Sequence, residues 1–285
     1  MDYPTGNTGK AFEFASARAL SDAGIGFLDD RALAKQKLDQ KAFENLNPSQ
    51  RRYLISAAHG ICDWLLETHV PYSEISRPND SAGEDGDPGD LVLSNASGRI
   101  SISLKHDNPS IKHHRPSNLA RQCGFASDDS ADLNWRDKFF TSVSGYLSSR
   151  HPSARQVATD IVDSAELYNL VTDLVLEQIE EWLEINANLP ETLYKFLVGP
   201  EELVTALATP KLLKVTHWDF DRRPVRLEIS KISDKLVLEF SNGHTLTWRV
   251  HTASSLLSID SPSLKWDVRS LQEPRLIFRK IFDKG

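Results

Sequence analysis

The apolar residues of this 285-residue chain change their spacing close to residue 200. From about Trp135 to Val198 they recur every three to four positions, which predicts helices. From about residue 211 to residue 285 apolar and polar residues alternate, and Asn242-Gly243 predicts a hairpin turn. We therefore expect an α/β chain of the α+β type, in which a β-rich C-terminal module packs against a mostly helical part.

The clearest helical stripe in this region predicts a helix with one buried face. Its members are Leu167, Leu170, Val171, Leu174, Val175, Ile179, Trp182 and Leu183. Two more helices are predicted near the N-terminus, over residues 9–20 and 47–68, with Glu13 beside the stripe of the first and Ser49 as the N-cap of the second. Residues 77–90 carry Gly, Pro, Asn and Asp densely and are expected to form a loop.

Composition argues against several classes of protein. No run of about 18 apolar residues occurs, so no membrane span is expected. The N-terminus lacks the basic-then-apolar layout of a secretory signal. The two cysteines, Cys62 and Cys123, are too few for a disulfide framework and lack the spacing of a structural zinc site. A reducing cytoplasm is therefore the expected setting.

The net charge of −7, averaged over the chain, disfavours a nucleic-acid partner. The stretch from Lys105 to Arg121 departs from this average, because four Lys or Arg residues stand there against Asp107 alone. Screening confines electrostatic effects to about 10 Å or less, so a basic stretch on an acidic body can still bind a polyanion. The alternative for this stretch is a solvated surface loop.

The stretch GDLVLSNASGRISISLKHD, residues 89–107, reads as an acidic residue, a strand, a turn, a strand and a lysine. Asp90 opens the first strand and Lys105 closes the second, as expected for neighbouring strands of a hairpin. A carboxylate can hold a divalent metal ion, and a lysine can stabilise charge on an attacked phosphate, which is the chemistry of a metal-dependent nuclease. Such a site normally has a carboxylate two positions before the lysine, where this chain has Ser103.

The second strand of this hairpin has two different sides. Ile100, Ile102 and Leu104 point to one side and require a core. Ser101, Ser103 and Lys105 point to the other, which we expect to face polar space. An amphipathic hairpin with a solvated lysine is the alternative to a catalytic site.

Several short motifs surround the hairpin. They are GKAFE (9–13), DSAG (80–83), GD (86–87), Asp90, SLKH (103–106), KHHRP (112–116) and QCG (122–124). Together they resemble the HaeIII-like family of type II restriction endonucleases, within the wider PD-(D/E)xK nucleases. The resemblance covers about residues 10–20 and 77–125, and nothing in the C-terminal third contributes to it. It implies a restriction-endonuclease-like core, with helices flanking a mixed central sheet, over residues 1–210. The β-rich module of residues 211–285 carries basic side chains that could reach base edges, so a DNA-recognition role is expected for it.

The resemblance also implies a metal site. A glutamate on the first core helix commonly faces the metal in these nucleases, and Glu13 is the matching position. Asp90, Glu13 and the Leu104 carbonyl are then expected to hold one or two Mg2+ ions, with Lys105 beside the attacking water. Ser103 stands where such a site normally has a carboxylate ligand, and Glu13 is expected to supply that carboxylate from a distant helix. Asp87 is a second candidate carboxylate, and a surface helix residue is the alternative for Glu13.

A set of basic and imidazole side chains is expected to contact DNA, where phosphate contacts orient the duplex and base contacts specify the sequence. The set consists of His106, Lys112, His113, His114, Arg115, Arg121, Arg222 and Arg223. The pair His113-His114 has a second interpretation, a zinc or HNH-type site, although adjacent side chains rarely converge on one metal. For the two C-terminal arginines an ordinary surface position is the alternative.

The resulting prediction is a type II restriction endonuclease that cleaves double-stranded DNA at a specific sequence, with Mg2+ as cofactor and 5′-phosphate products. The best-known target of the family is GGCC, which is one candidate sequence here. The resemblance further implies a prokaryotic cytoplasm, a cognate DNA methyltransferase as partner and a homodimer as one arrangement suited to palindromic sites. The alternatives are a nuclease for modified or damaged DNA and a non-catalytic DNA-binding protein with a degenerate nuclease core.

Overall fold

The computed structural model describes residues 5–68, 72–78, 89–107, 110–160, 162–199, 202–220, 223–272 and 275–282. The helices are α1 (Thr5–Asp22), α2 (Asp30–Glu44), α3 (Pro48–Thr68), α4 (Leu119–Gln122), α5 (Ser130–Arg150), α6 (Ser164–Ile185) and α7 (Leu189–Val198), with a 3-10 turn at Pro116–Asn118. The strands are β1 (Phe27–Leu28), β2 (Glu74–Ser76), β3 (Leu91–Asn95), β4 (Gly98–His106), β5 (Lys112–His114), β6 (Gln156–Ala158), β7 (Glu202–Ala208), β8 (Leu212–Asp219), β9 (Leu227–Ile232), β10 (Lys235–Phe240), β11 (Thr245–Thr252), β12 (Leu256–Ser258), β13 (Leu264–Ser270) and β14 (Arg275–Ile281).

A mixed sheet of seven strands contains the predicted hairpin, in the order β1-β2-β3-β4-β7-β8-β14. The pairs β1/β2 and β4/β7 are parallel, and the remaining neighbours are antiparallel. The prediction of a mixed sheet combined with helices is therefore confirmed, while the closer assignment to a restriction-endonuclease-like core stays a prediction.

One face of the seven-stranded sheet is covered by α1 and α3. The apolar stripes of both helices meet Ile100, Ile102 and Leu104 of β4 in one buried cluster, together with side chains of β7 and β8. The alternation of β4 explains this, because every second residue of a strand points to the same face. This packing brings α1 against the hairpin, and with it the position predicted for Glu13.

A second core lies around a five-stranded antiparallel sheet with the order β5-β13-β11-β10-β9. Buried side chains of α5, α6 and α7 pack against it, including Leu167, Val171, Val175, Ile179 and Trp182 of the predicted stripe. The strands β6 and β12 form a separate antiparallel pair. The helical prediction for residues 135–198 and the β-rich prediction for the C-terminal third are thus confirmed at the level of elements.

Two predicted helix starts need correction. Asn47, not Ser49, caps α3: its Oδ1 accepts the Gln50 backbone N–H at 2.9 Å, and the Ser49 hydroxyl donates to the same oxygen at 2.6 Å. The sequence after Pro116 also predicts a short helix with Ser117 as its cap, but Ser117 lies within the 3-10 turn, and Asn118 precedes α4 without a side-chain cap.

The boundary predicted between residues 210 and 211 falls in the turn between β7 and β8, which are neighbouring strands of one sheet. The C-terminal strand β14 pairs with β8 in that sheet, whereas β9, β10, β11 and β13 belong to the other. The C-terminal third therefore contributes strands to both sheets. None of the helices in the described part of the chain is long and apolar enough to cross a membrane.

Candidate active site

In the predicted hairpin, Asp90 lies immediately before the first residue of β3. The turn forms as expected, because Asn95 Oδ1 accepts the backbone N–H groups of Ser97 and Gly98 at 2.8 and 2.9 Å. The Asp90 backbone N–H donates to the Ile102 carbonyl at 2.9 Å, which holds Asp90 opposite the second half of β4.

The carboxylate of Asp90 is held by two donors from β4. Its Oδ2 accepts the Leu104 backbone N–H at 2.6 Å and the Ser103 hydroxyl at 3.2 Å. The Ser103 hydroxyl therefore orients the Asp90 carboxylate. It does not take the role of the carboxylate that such sites normally have at this position. For Leu104 the observed contact is made by the backbone N–H, and metal binding by its carbonyl stays a prediction.

The side of β4 that carries Ser101 and Ser103 does not face polar space as predicted. The two serines are only 4% and 0% exposed. Ser103 lies beside Thr205 of β7, whose hydroxyl is 2.5 Å from that of Thr216 on β8. A buried polar strip thus crosses three strands: the Ser103 hydroxyl donates to Asp90, while the Thr205 and Thr216 hydroxyls pair with each other.

Glu13 lies on α1 and faces a buried arginine that the sequence did not single out. Arg77, directly after β2, is 1% exposed, and its Nη2 donates to Glu13 and, at 2.7 Å, to Asp39 of α2. Such burial of a guanidinium requires paired carboxylates, because an unpaired charge in the interior is costly. The segment around Arg77 lacks apolar periodicity, so its sequence carried no signal of burial.

Glu13 and Asp90 lie close enough for their charges to interact. Burial and then the charge of Asp90 raise the pKa of Glu13 to about 7, against the opposing effect of Arg77. Burial also raises the pKa of Asp90, although Lys105 and the Leu104 N–H favour its ionised form. A carboxyl group whose pKa is raised by burial and by a neighbouring carboxylate marks a site that can accept a cation or a proton.

Lys105 lies close enough to Asp90 and His113 for its charge to act on both. That charge favours a lower pKa for Asp90, against the effect of burial, and for His113. The structure therefore brings Glu13, Asp90 and Lys105 into one electrostatic neighbourhood from three separate elements, α1, the start of β3 and the end of β4.

Two of the residues predicted to contact DNA are buried, and this prediction is corrected. Lys112 is 3% exposed; its Nζ donates to the Phe196 carbonyl at 2.7 Å and lies 3.6 Å from the centre of the Phe196 ring. His114 packs edge-on against Phe196 and Trp248, and burial keeps its pKa well below the usual value. Both side chains contribute to the second core and cannot reach a phosphate.

The remaining predicted contacts have varied surroundings. The His106 Nε2 atom lies 2.5 Å from the Tyr53 hydroxyl of α3. Arg115 and Arg121 are exposed, and Arg121 Nε lies 3.5 Å from Asp132. Arg223 is exposed and lies 3.3 Å from Glu191. Arg222 and Asp87 lie outside the described residues.

His113 points away from His114, because adjacent strand residues face opposite sides. It lies 3.3 Å from Asp267 of β13 and edge-on to His251 of β11. The alternative interpretation, in which His113 and His114 share one metal, does not fit this geometry. The sequence could not reveal the observed grouping, because His113 is separated from His251 and Asp267 by more than 100 positions.

Comparison with known proteins found no matching family model, no matching curated protein and no matching solved structure. The geometry and electrostatics of the site are therefore the basis for a functional assignment.

Proposed function

We propose that this chain is a Mg2+-dependent nuclease that cleaves double-stranded DNA, with Glu13, Asp90 and Lys105 as its catalytic groups. One observation carries the proposal: Asp90, a buried carboxyl group with a raised pKa, interacts with the charge of Glu13 from a helix distant in sequence and with the charge of Lys105. Two carboxylates can hold a divalent ion, and a lysine can stabilise charge on an attacked phosphate, which together suit metal-assisted phosphodiester hydrolysis.

The residues present fit a divalent cation. Burial and then the charge of Asp90 raise the pKa of Glu13, and a bound cation would offset the repulsion from Asp90. Asp90 and Glu13 would hold Mg2+, with the Leu104 carbonyl as a further oxygen ligand. When bound, the ion supplies Lewis-acid stabilisation of the phosphate and a lower pKa for its water.

The remaining chemistry belongs to the protein. The Lys105 ammonium group stabilises the negative charge that develops on the attacked phosphate, and it can donate to the attacking water. The Leu104 N–H and the Ser103 hydroxyl keep the Asp90 carboxylate in one orientation. Arg77 binds Glu13 from the buried side and so orients its carboxylate as well.

Sequence-specific cleavage of the restriction type is the form of this activity that we favour, with a cognate methyltransferase and a prokaryotic host. The exposed side chains of Arg115, Arg121 and Arg223 are candidates for DNA contacts. Arginine side chains bind phosphates or form hydrogen bonds to guanine edges in the major groove. A two-fold homodimer would match a palindromic target.

The test is incubation with phage DNA in the presence of Mg2+, with an EDTA control. We expect discrete fragments with the wild type and a loss of at least a hundredfold in rate with Asp90→Asn and Lys105→Ala, on the order of single-group losses in other catalysts. Lys235→Ala, a change at an exposed lysine of β10, is the matched control and should cut normally. Wild-type cleavage by Lys105→Ala would remove that residue from the mechanism.

A second function is favoured by one observation. Arg77 already neutralises Glu13 without a metal, as in a nuclease core that has kept its fold and lost its activity. A non-catalytic DNA-binding protein of this kind would shift DNA in a gel without cutting methylated or unmethylated substrates in Mg2+ or Mn2+. Cleavage of methylated or damaged DNA alone would instead identify a nuclease for modified DNA.

A further inference from the structure

Three metal-binding side chains converge on one face of the five-stranded sheet. His113 of β5, His251 of β11 and Asp267 of β13 each offer a ligand atom, and these atoms lie within 4.8 Å of one another. The strand β13 lies between β5 and β11. His113 is directly opposite Asp267, and His251 is opposite Lys265, two positions away on β13. The period of two therefore puts all three side chains on the same face.

Both oxygens of the Asp267 carboxylate have polar neighbours. Its Oδ2 accepts hydrogen bonds from the Nε and Nη2 atoms of Arg269 at 3.2 and 2.9 Å. Its Oδ1 lies 3.3 Å from His113 Nδ1, and the Ser110 hydroxyl also hydrogen-bonds to the carboxylate. These contacts hold the carboxylate in place beside His113.

Both imidazoles present a ring nitrogen to the cluster. The Nδ1 atom of His251 lies 2.9 Å from the Thr252 carbonyl, and donation to that carbonyl leaves the Nε2 lone pair free for a metal. The Nδ1 atom of His113 lies 3.3 Å from Asp267 Oδ1.

We propose that His113, His251 and Asp267 bind a divalent transition-metal ion of the Zn2+ class. Two imidazoles and one carboxylate suit Zn2+, whereas Mg2+ prefers oxygen ligands throughout. Water completes the fourth position. This site is distinct from the one proposed between Glu13 and Asp90, and it does not depend on nuclease activity.

Basic side chains around the proposed metal site repel the positive charge of a bound ion. Lys105 and Lys265 both lie near His113, and Arg269 is bound to Asp267. The single carboxylate of Asp267 offsets part of this positive charge. The affinity for Zn2+ should therefore be lower than in structural zinc sites with thiolate ligands. Lys105 also lies near Asp90, so a bound ion would repel its ammonium group towards Asp90 and couple the two sites.

The test is a titration of the full chain with Zn2+ by calorimetry and with Co2+ by visible absorption. We expect one equivalent to bind, with the intense Co2+ bands of a four-coordinate site. His113→Ala and His251→Ala should each weaken binding at least tenfold. His59→Ala, at an exposed histidine of α3, is the matched control and should bind as the wild type does.

Two results would overturn the proposal: no uptake of Zn2+ or Co2+ by the wild type, or unchanged binding by both histidine variants. Circular dichroism checks the folding of each variant, and Asp267→Asn, which keeps the side-chain shape, gives a third measurement of weakened binding. Asp90→Asn should retain Zn2+ binding. Absence of DNA cleavage with intact Zn2+ binding would reject the proposed nuclease function and leave this site in place.

Discussion

Asp90 and Glu13 show how burial changes the chemistry of single residues. Each would be an ordinary ionised carboxylate in water, but in the folded chain the pKa of both is raised. Arg77 and Lys105 offset part of this effect from opposite sides. Ser103, which looked like a lost ligand in the sequence, instead donates to Asp90.

The raised pKa of Glu13 predicts a stability change with pH in metal-free protein. A carboxyl group whose pKa rises from 4.5 to about 7 on folding stabilises the folded state below pH 4.5, and this stability is lost as the pH rises through 7. Each pKa unit corresponds to about 1.4 kcal/mol. The free energy of unfolding of Glu13→Gln should therefore exceed that of the wild type by about 3 kcal/mol at most at pH 8, and the two values should match at pH 4.5.

Urea unfolding in EDTA at both pH values measures this difference. Addition of Mg2+ at pH 8 should stabilise the wild type more than Glu13→Gln, because the variant lacks one of the two proposed ligands. An equal free energy of unfolding for the two proteins at pH 8 would contradict the raised pKa.

Arg77 offers a second prediction at this scale. Arg77→Met removes a buried charge that pairs with Glu13 and Asp39, and the loss of one partner from a buried pair costs about 3–5 kcal/mol. Arg18→Ala is the control, because Arg18 and Asp22 are 65% and 71% exposed and such pairs contribute little. Chemical denaturation of both variants should separate them clearly.

The helices with long apolar stripes followed from local patterns, whereas α2 and the exact helix starts did not. The helical prediction for residues 47–68 matched α3 closely, because its apolar spacing extends over several turns. The cap was assigned to Ser49, whose hydroxyl instead donates to Asn47. Both residues are good caps in general, so the sequence alone could not choose between them.

The corrected cap of α3 can be tested directly. Asn47→Ala should lower the free energy of unfolding by about 1 kcal/mol, because it removes the acceptor of the Gln50 N–H. Ser49→Ala should cost much less, since it removes only a donor to Asn47. A larger loss for Ser49→Ala in urea unfolding would restore the original assignment.

At the scale of the whole molecule, the C-terminal third completes a sheet that the N-terminal half begins. Gly60 of α3 lies where this contact is tightest: a Cβ atom there would come within 2.7 Å of Leu213 on β8 and 3.2 Å of Lys280 on β14. Leu213 is fully buried and has little room to move. The close approach of α3 to these strands therefore requires glycine.

A substitution at this position tests the long-range packing. Gly60→Val should destabilise the protein by about 1–3 kcal/mol through overpacking. Gly145→Ala is the matched control, because this glycine of α5 has no atoms within 4 Å of its Cβ direction and alanine favours a helix by about 1 kcal/mol. The midpoint temperature of thermal unfolding should therefore fall for Gly60→Val and rise for Gly145→Ala.

The sequence by itself indicated the helices with long apolar stripes, the alternating strands of the C-terminal third and two hairpins, because each depends on residues that are near one another in the chain. It gave no indication of α2. It also indicated Asp90 and Lys105, which the β3–β4 hairpin positions locally. Only the tertiary structure decided that Ser103, Lys112 and His114 are buried. Their environment is set by α7 and by strands β7, β11 and β13, which lie far away in sequence.

The grouping of charges was decided in the same way. Arg77 meets Glu13 and Asp39, and His113 meets His251 and Asp267, across separations that no local pattern encodes. The physical reason is that burial and electrostatic interaction depend on distance in space. The sequence could therefore name side chains capable of the chemistry, and the fold decided which of them share a site.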